Sequence, residues 1–269
     1  MGKKKVPEET HQSSRDKVGF FIRTGIVVLS FLVICAVGFK VLPMAVSVTN
    51  SANTKKLPIY CVDEDEKKVA LSFDAAWGNE DTTDILEILA KHNVKVTFFM
   101  TGGWVEKFPE DVKAIAAAGH DLGNHSENHK HMSQLSKEQN IEEIMKVHKK
   151  IKELTGLEMN LFRPPYGDYN NTVVEATNEA GYHCIQWDID SLDWKDYGVD
   201  SIVKTVVNHK HLGNGSIILM HNGAKFTKDA LESIITGLQK KGYEIVPISQ
   251  LIHTGDYFTD HEGRQFEKK

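Results

Sequence analysis

Two histidines four residues apart, in the run His125-Ser126-Glu127-Asn128-His129, have the spacing in this chain best suited to chemistry. On a helical turn, positions i and i+4 share a face, so both imidazoles reach one divalent cation. The spacing is that of the zinc-protease motif His-Glu-x-x-His, but here no glutamate directly follows the first histidine, which weakens a peptidase reading. A chain with 13 histidines also places two at this spacing on a solvated turn by chance. Their neighbours in space decide between the two.

Other polar groups follow apolar runs. Asp74 stands directly after Val69-Ala70-Leu71-Ser72-Phe73, with Ala75-Ala76-Trp77-Gly78 behind it. An acid at the end of a strand faces a pocket there, or caps the next helix. After Leu161-Phe162 comes Arg163-Pro164-Pro165-Tyr166-Gly167, whose prolines fix the backbone and aim the arginine and the Tyr166 N–H at one space, unless they simply make a rigid turn. The run Trp187-Asp188-Ile189-Asp190-Ser191-Leu192-Asp193-Trp194 sets acids among tryptophans, as a cleft that stacks on a sugar face requires. Ile217-Ile218-Leu219-Met220 ends on His221, a lone histidine that is either a satisfied structural group or a proton donor.

The elements that must position these groups alternate. Apolar, β-branched or aromatic runs at 69–73, 94–99, 121–124, 161–162, 182–187, 216–220 and 243–246 read as strands. Between them, 81–91, 110–118, 136–154, 172–180, 201–209 and 228–240 read as helices, the third capped by Ser136 and stopped near Gly156. Regular alternation of this kind predicts an α/β fold with a parallel sheet, open or closed into a barrel, in which chemistry sits where strands end. Residues 47–66 read as a polar linker, and 254–269 as a charged, frayed tail with little to bury.

The stretches around Asp74, His125, Arg163, Asp193 and His221, in this order and each after a strand-like run, resemble the polysaccharide deacetylases with a NodB homology domain, carbohydrate esterase family 4. The resemblance covers 67–253. More narrowly, Phe73-Asp74-Ala75-Ala76-Trp77-Gly78 with the N-terminal apolar segment resembles the PdaB-like branch of endospore-forming bacteria. It implies a distorted (β/α) barrel and assigns Asp74 as catalytic base, His125 and His129 as metal ligands, and Arg163 as the group orienting the base. It further assigns the Tyr166 N–H to the oxyanion, Asp193 to tuning the general acid His221, and Trp194 and Leu219 to the pocket walls. Trp77 and Pro165 complete the expected substrate-binding set. The implied activity is hydrolysis of acetamido groups on a cell-wall glycan with a divalent metal, Zn2+ by expectation. Family members carry a second aspartate after the base as third ligand; Ala75 stands there and coordinates nothing.

A net charge of −5, with no run of basic residues interleaved with aromatics in the body, argues against nucleic acid as a partner. Three cysteines are too few for a disulfide framework, so Cys61 and Cys184 are expected as buried free thiols. Residues 24–46 form an apolar run about long enough to cross a bilayer. Lys3, Lys4, Lys5, Arg15, Lys17 and Arg23 precede it, which predicts a cytoplasmic segment 1–23, a membrane anchor and an extracytoplasmic body. A cleaved signal peptide ending at Ala45-Val46-Ser47 is the alternative, and it leaves the body on the same side.

Overall fold

The strand-like runs build one curled, parallel sheet. The computed structural model describes Gly2 and residues 55–268, so the expected basic segment, the anchor at 24–46 and Cys35 lie outside the described residues. From Lys55 onward the chain forms one compact unit. Among the described residues, no helix is long and apolar enough to cross a membrane.

The strands are β1 (Cys61–Val62), β2 (Lys68–Ala75), β3 (Thr97–Met100), β4 (Asp121–Asn124), β5 (Leu161–Phe162), β6 (His183–Cys184), β7 (Ile189–Asp190), β8 (Ile217–His221), β9 (Glu244–Ile245), β10 (Tyr257–Thr259) and β11 (Arg264–Glu267). The larger sheet runs β6-β5-β4-β3-β2-β8-β7, with β9 pairing β2 as well. All its pairs are parallel. No ladder joins β6 to β7 among the described residues, so the expected barrel is an open half-barrel.

Register does the positioning. β2 and β8 pair from Ala70–Ile217 to Asp74–His221, which sets the acid and the histidine side by side at the strand ends. β4 meets β5 at Asn124–Phe162, so the next residues, His125 and Arg163, leave the sheet together.

Alternation along the strands separates two cores. Leu71, Phe73, Phe98, Phe162 and Ile218 face the helices, where α1 (Thr82–Lys91) buries Ile85 and Leu89, α2 (Gly102–Lys107) buries Trp104 and Val105, and α3 (Pro109–Ala117) buries Val112 and Ile115. On the same side α4 (Lys137–Thr155) buries Ile144, Val147 and Ile151. α4 starts at the predicted Ser136 cap, a reciprocal capping box with Gln139, and stops at Gly156 in the left-handed conformation. The inner face carries Ala70, Phe99, Leu161 and Ile217.

That inner face corrects the linker expectation. Ile59 and Val62 are buried against it and close one end of the half-barrel, each contributing roughly 1.5–3 kcal/mol of apolar burial. A Pro-containing, charge-flanked stretch hides these few apolar residues from a reading by composition.

The tail is also corrected. β10 and β11 pair antiparallel, and β11 adds β1 in parallel to make a three-stranded sheet. The polarity of the tail is satisfied rather than solvated: buried Gln265 exchanges hydrogen bonds with the backbone of His253, and Arg264 donates to Val62 O. Cys61 and Cys184 are free and buried as expected, and burial pushes their thiols up to about 11 and about 12.

Candidate functional site

A cavity of about 460 Å3 opens at the C-terminal ends of β2, β4, β7 and β8, lined by Asp74, Ala76, Trp77, His125, His129, Tyr166, Trp187, Asp190, Trp194, Leu219 and His221. Its size suits one sugar residue.

At its floor Asp74 is nearly buried, and Arg163 is wholly so. Arg163 Nη1 donates to Asp74 Oδ1 at 2.8 Å, and Nη2 donates to Ser72 Oγ at 2.8 Å and to Gln186 O at 3.2 Å. The guanidinium lies 4.1 Å from the Phe99 ring centre, so its planar fork is fixed on one side by an aromatic face. Burial alone would raise the Asp74 carboxyl, but the charge and hydrogen bond of Arg163, with His221 behind them, outweigh it and hold the group below the usual carboxylate range. Asp74 is therefore an ionised base with one oxygen engaged. Its other oxygen, Oδ2, stands 3.5 Å from His125 Nε2.

The histidine pair converges, but not on a helix. Ser126 and His129 both adopt positive φ (64° and 52°), and the loop is tied by Ser126 N–H to Asn124 Oδ1 and His129 N–H to Ser126 Oγ. The rings sit 5.0 Å apart at 65°. His125 Nδ1 donates to Arg163 O at 2.7 Å, which leaves Nε2 as the ligating nitrogen. Burial, then the neighbouring His125, pushes His129 down to about 4, and burial likewise lowers His125. Both imidazoles are neutral, as metal ligands must be.

Opposite stands His221. Its Nδ1 donates to Asp193 Oδ1 at 2.7 Å, while Asp193 Oδ2 accepts from His221 N–H and Thr227 Oγ1, both at 2.7 Å. Burial would lower the imidazole, but the hydrogen bond and charge of Asp193, with Asp74 and Asp190 behind them, raise it. Trp77 stacks on the His221 ring at 5.1 Å and 17°, so it walls the general acid as well as the cavity.

Tyr166 lies in a turn over Pro165–Gly167 at φ 60°, ψ 7°, a left-handed conformation that costs a residue with a Cβ about 1–2 kcal/mol. Trp194 donates its indole N–H to Asp190 Oδ2 at 3.5 Å. Leu219 lines the cavity. Two expectations are refined. Pro165 is buried in the turn and does not line the cavity, and Asp193 sits wholly behind His221. Asp188, although next in sequence to these acids, points away and accepts from Ser216 Oγ and Ile217 N–H.

The chain has relatives among known proteins. Residues 62–185 match the family model for polysaccharide deacetylase. The chain is 36% identical over 195 residues to the uncharacterized protein YlxY of Bacillus subtilis, covering 72% of this chain but only 60% of YlxY. It is also 36% identical to a peptidoglycan-N-acetylglucosamine deacetylase of Bacillus cereus, covering 70% of this chain and 69% of that protein. The chain belongs to the polysaccharide deacetylase family. The structure of the Bacillus anthracis protein BA3943, described as a family 4 pseudoenzyme, superposes with a TM-score of 0.69 at 36% identity, over 72% of this chain and 68% of that one. A mutant of BA3943 is described as having restored enzymatic activity.

Members of this deacetylase family take a divalent metal, and the donors here fit one only in part. His125 Nε2 and His129 offer two neutral nitrogens. No third His, Cys, Asp or Glu completes a cluster among the described residues, because the position after the base is Ala75, fully buried at the end of β2. The set therefore fits a weakly held cation rather than a closed three-ligand site.

Residue-by-residue reading missed the supports: Ser72 and Gln186 under Arg163, and Thr227 under Asp193. It also missed Asp81, which accepts from the Asn222 side chain and from Gly223 N–H and so ties the loop after His221 to the loop after Asp74. None of these carries a signal in a single sequence beyond being polar.

Proposed function

We propose that this protein is a peptidoglycan N-deacetylase, hydrolysing the acetamido group of N-acetylglucosamine or N-acetylmuramic acid in a cell-wall glycan. One observation carries the reading: an ionised, arginine-held carboxylate and a carboxylate-held histidine with raised pKa face each other across a tryptophan-walled cavity of sugar size.

Amide hydrolysis needs a base for water, a holder for the developing oxyanion and an acid for the departing amine. Asp74 takes a proton from the attacking water at Oδ2, its Oδ1 remaining on Arg163. Tyr166 N–H holds the carbonyl oxygen. His221, its Nδ1 engaged by Asp193, delivers its proton from Nε2 to the sugar nitrogen as the C–N bond breaks, leaving acetate and a free amino sugar. A divalent cation bound by His125 and His129 would act there as a Lewis acid on the carbonyl and lower the pKa of water.

The N-terminal run supports a membrane-anchored protein with this body outside the cell, and the PdaB-like stretch 73–78 supports a role in spore-forming cells. A second reading is favoured by Ala75 and by the likeness to BA3943: a glycan-binding relative that keeps the cleft and does not turn over. Acetate release from acetylated peptidoglycan strands, with and without added zinc, separates the two. Metal-stimulated release is expected. A protein that binds the strands and frees no acetate at any zinc concentration overturns the enzyme reading.

A further inference from the structure

Tyr166 holds its left-handed backbone without the help of burial, for its side chain is largely exposed at the cavity rim. Its ring is instead flanked by two imidazoles. His129 meets it edge-on at 4.5 Å, and His131 lies parallel to it at 4.4 Å and 19°. His131 is outside the cavity lining and takes no part in the chemistry derived above.

His131 is itself tethered to the turn that Tyr166 belongs to. Its Nδ1 stands 3.6 Å from Asp168 Oδ2. The same oxygen accepts from Ser133 N–H at 3.0 Å and Ser133 Oγ at 2.8 Å, and Asp168 N–H closes the turn on Pro165 O at 3.0 Å. The loop 129–133 and the turn 165–168 thus form one circuit: ring on ring at one end, carboxylate on serine and histidine at the other. A strained backbone conformation persists only where its surroundings over-determine it. Here the circuit supplies that determination, at the residue to which the proposed mechanism gives the oxyanion.

We propose that His131 is a positioning residue for the deacetylation: its stack on Tyr166 holds the Tyr166 backbone in the left-handed conformation that presents the N–H to the reacting carbonyl. The role rests on the deacetylase reading for its catalytic consequence, but not for its structural one. Because the contact is a stack of two flat rings, a phenyl ring replaces it and a methyl group does not.

The test uses the full chain labelled with 15N-tyrosine, as parent, His131→Ala and His131→Phe. The amide shift and the three-bond HN–Hα coupling of Tyr166, which reports φ, are read beside Tm and beside kcat and KM for acetate release from N-acetylglucosamine oligomers. In His131→Ala the Tyr166 amide and coupling move, and kcat falls by about a hundredfold, the scale of a misplaced oxyanion donor. KM and Tm stay near the parent, and His131→Phe restores both kcat and the coupling. An unmoved Tyr166 coupling in His131→Ala overturns the proposal, as does a rise in KM alone, which would make the stack a sugar platform. A parent that frees no acetate defeats the deacetylase reading, and the Tyr166 coupling then decides the positioning role by itself.

Discussion

Asp74 and His221 are register partners on adjacent strands with opposite proton duties, the carboxylate held ionised by Arg163 and the imidazole's pKa raised by Asp193. Asp74→Asn and His221→Ala should each cost about two to four decades of turnover, and their effects should not add, since both serve one step. Acetate release checks the loss and circular dichroism the fold; near-parental turnover in either variant would remove that residue from the mechanism. Ala75 belongs to the same scale. Ala75→Asp should retain more zinc after dialysis than the parent and lose stability without it, because a buried, unpaired carboxylate is costly. Added zinc should then raise its Tm by more than it raises the parent's, since a ligand bound only by the native state stabilises that state. Equal metal content and equal zinc response in both proteins would show that position 75 does not face the cation.

At the scale of elements, the small sheet of β1, β10 and β11 closes one end of the half-barrel, and a glycine joins it to the large one. Gly215 has φ +79°, accepts from Val62 N–H and donates to Lys68 O. A Cβ there would stand 2.0 Å from Val62 O, a backbone atom that cannot move without opening β1. Gly215→Ala should therefore lower stability by about 1–3 kcal/mol, the range for a strained left-handed position. A urea midpoint equal to the parent's would mean that β1 contributes nothing to holding the sheet closed.

The stability of the whole molecule should carry a pH signature from buried groups outside the cavity lining. His120 is buried, its Nδ1 accepts from Val96 N–H, and burial with the charge of Lys95 pushes it down to about 4. The unfolded chain, with a histidine near 6.5, takes up that proton first, so this contribution is complete above about pH 6.5 and is lost as pH falls toward 4. Asp188 has the opposite sign: burial pushes it up to about 6, so its contribution is lost as pH rises to that value. Unfolding free energies of parent and His120→Asn, which keeps an acceptor for Val96, should differ in slope only between about pH 4 and 6.5. Parallel curves across that window would show that His120 is not buried neutral.

Periodicity alone determined the α/β alternation and most of the strand and helix centres, because burial on a parallel sheet leaves near-continuous apolar runs such as 69–73 and amphipathic faces such as that of α4. The resemblance in ordered motifs named most of the cavity residues but not Ala76, Trp187 or Asp190, since a strand's end is where a parallel sheet exposes side chains to a shared space. Tertiary structure decided the rest. The convergence of His125 and His129 comes from a left-handed loop rather than a helical turn, and no local pattern announces positive φ at a serine and a histidine. The buried seat of Arg163 on Ser72, Gln186 and Phe99 is assembled from segments far apart in sequence. The tail looked polar because hydrophobicity counts side chains, whereas a ladder is made of backbone groups whose partners are set only by the fold, and the short apolar run 57–62 was hidden by its proline and its charged flanks.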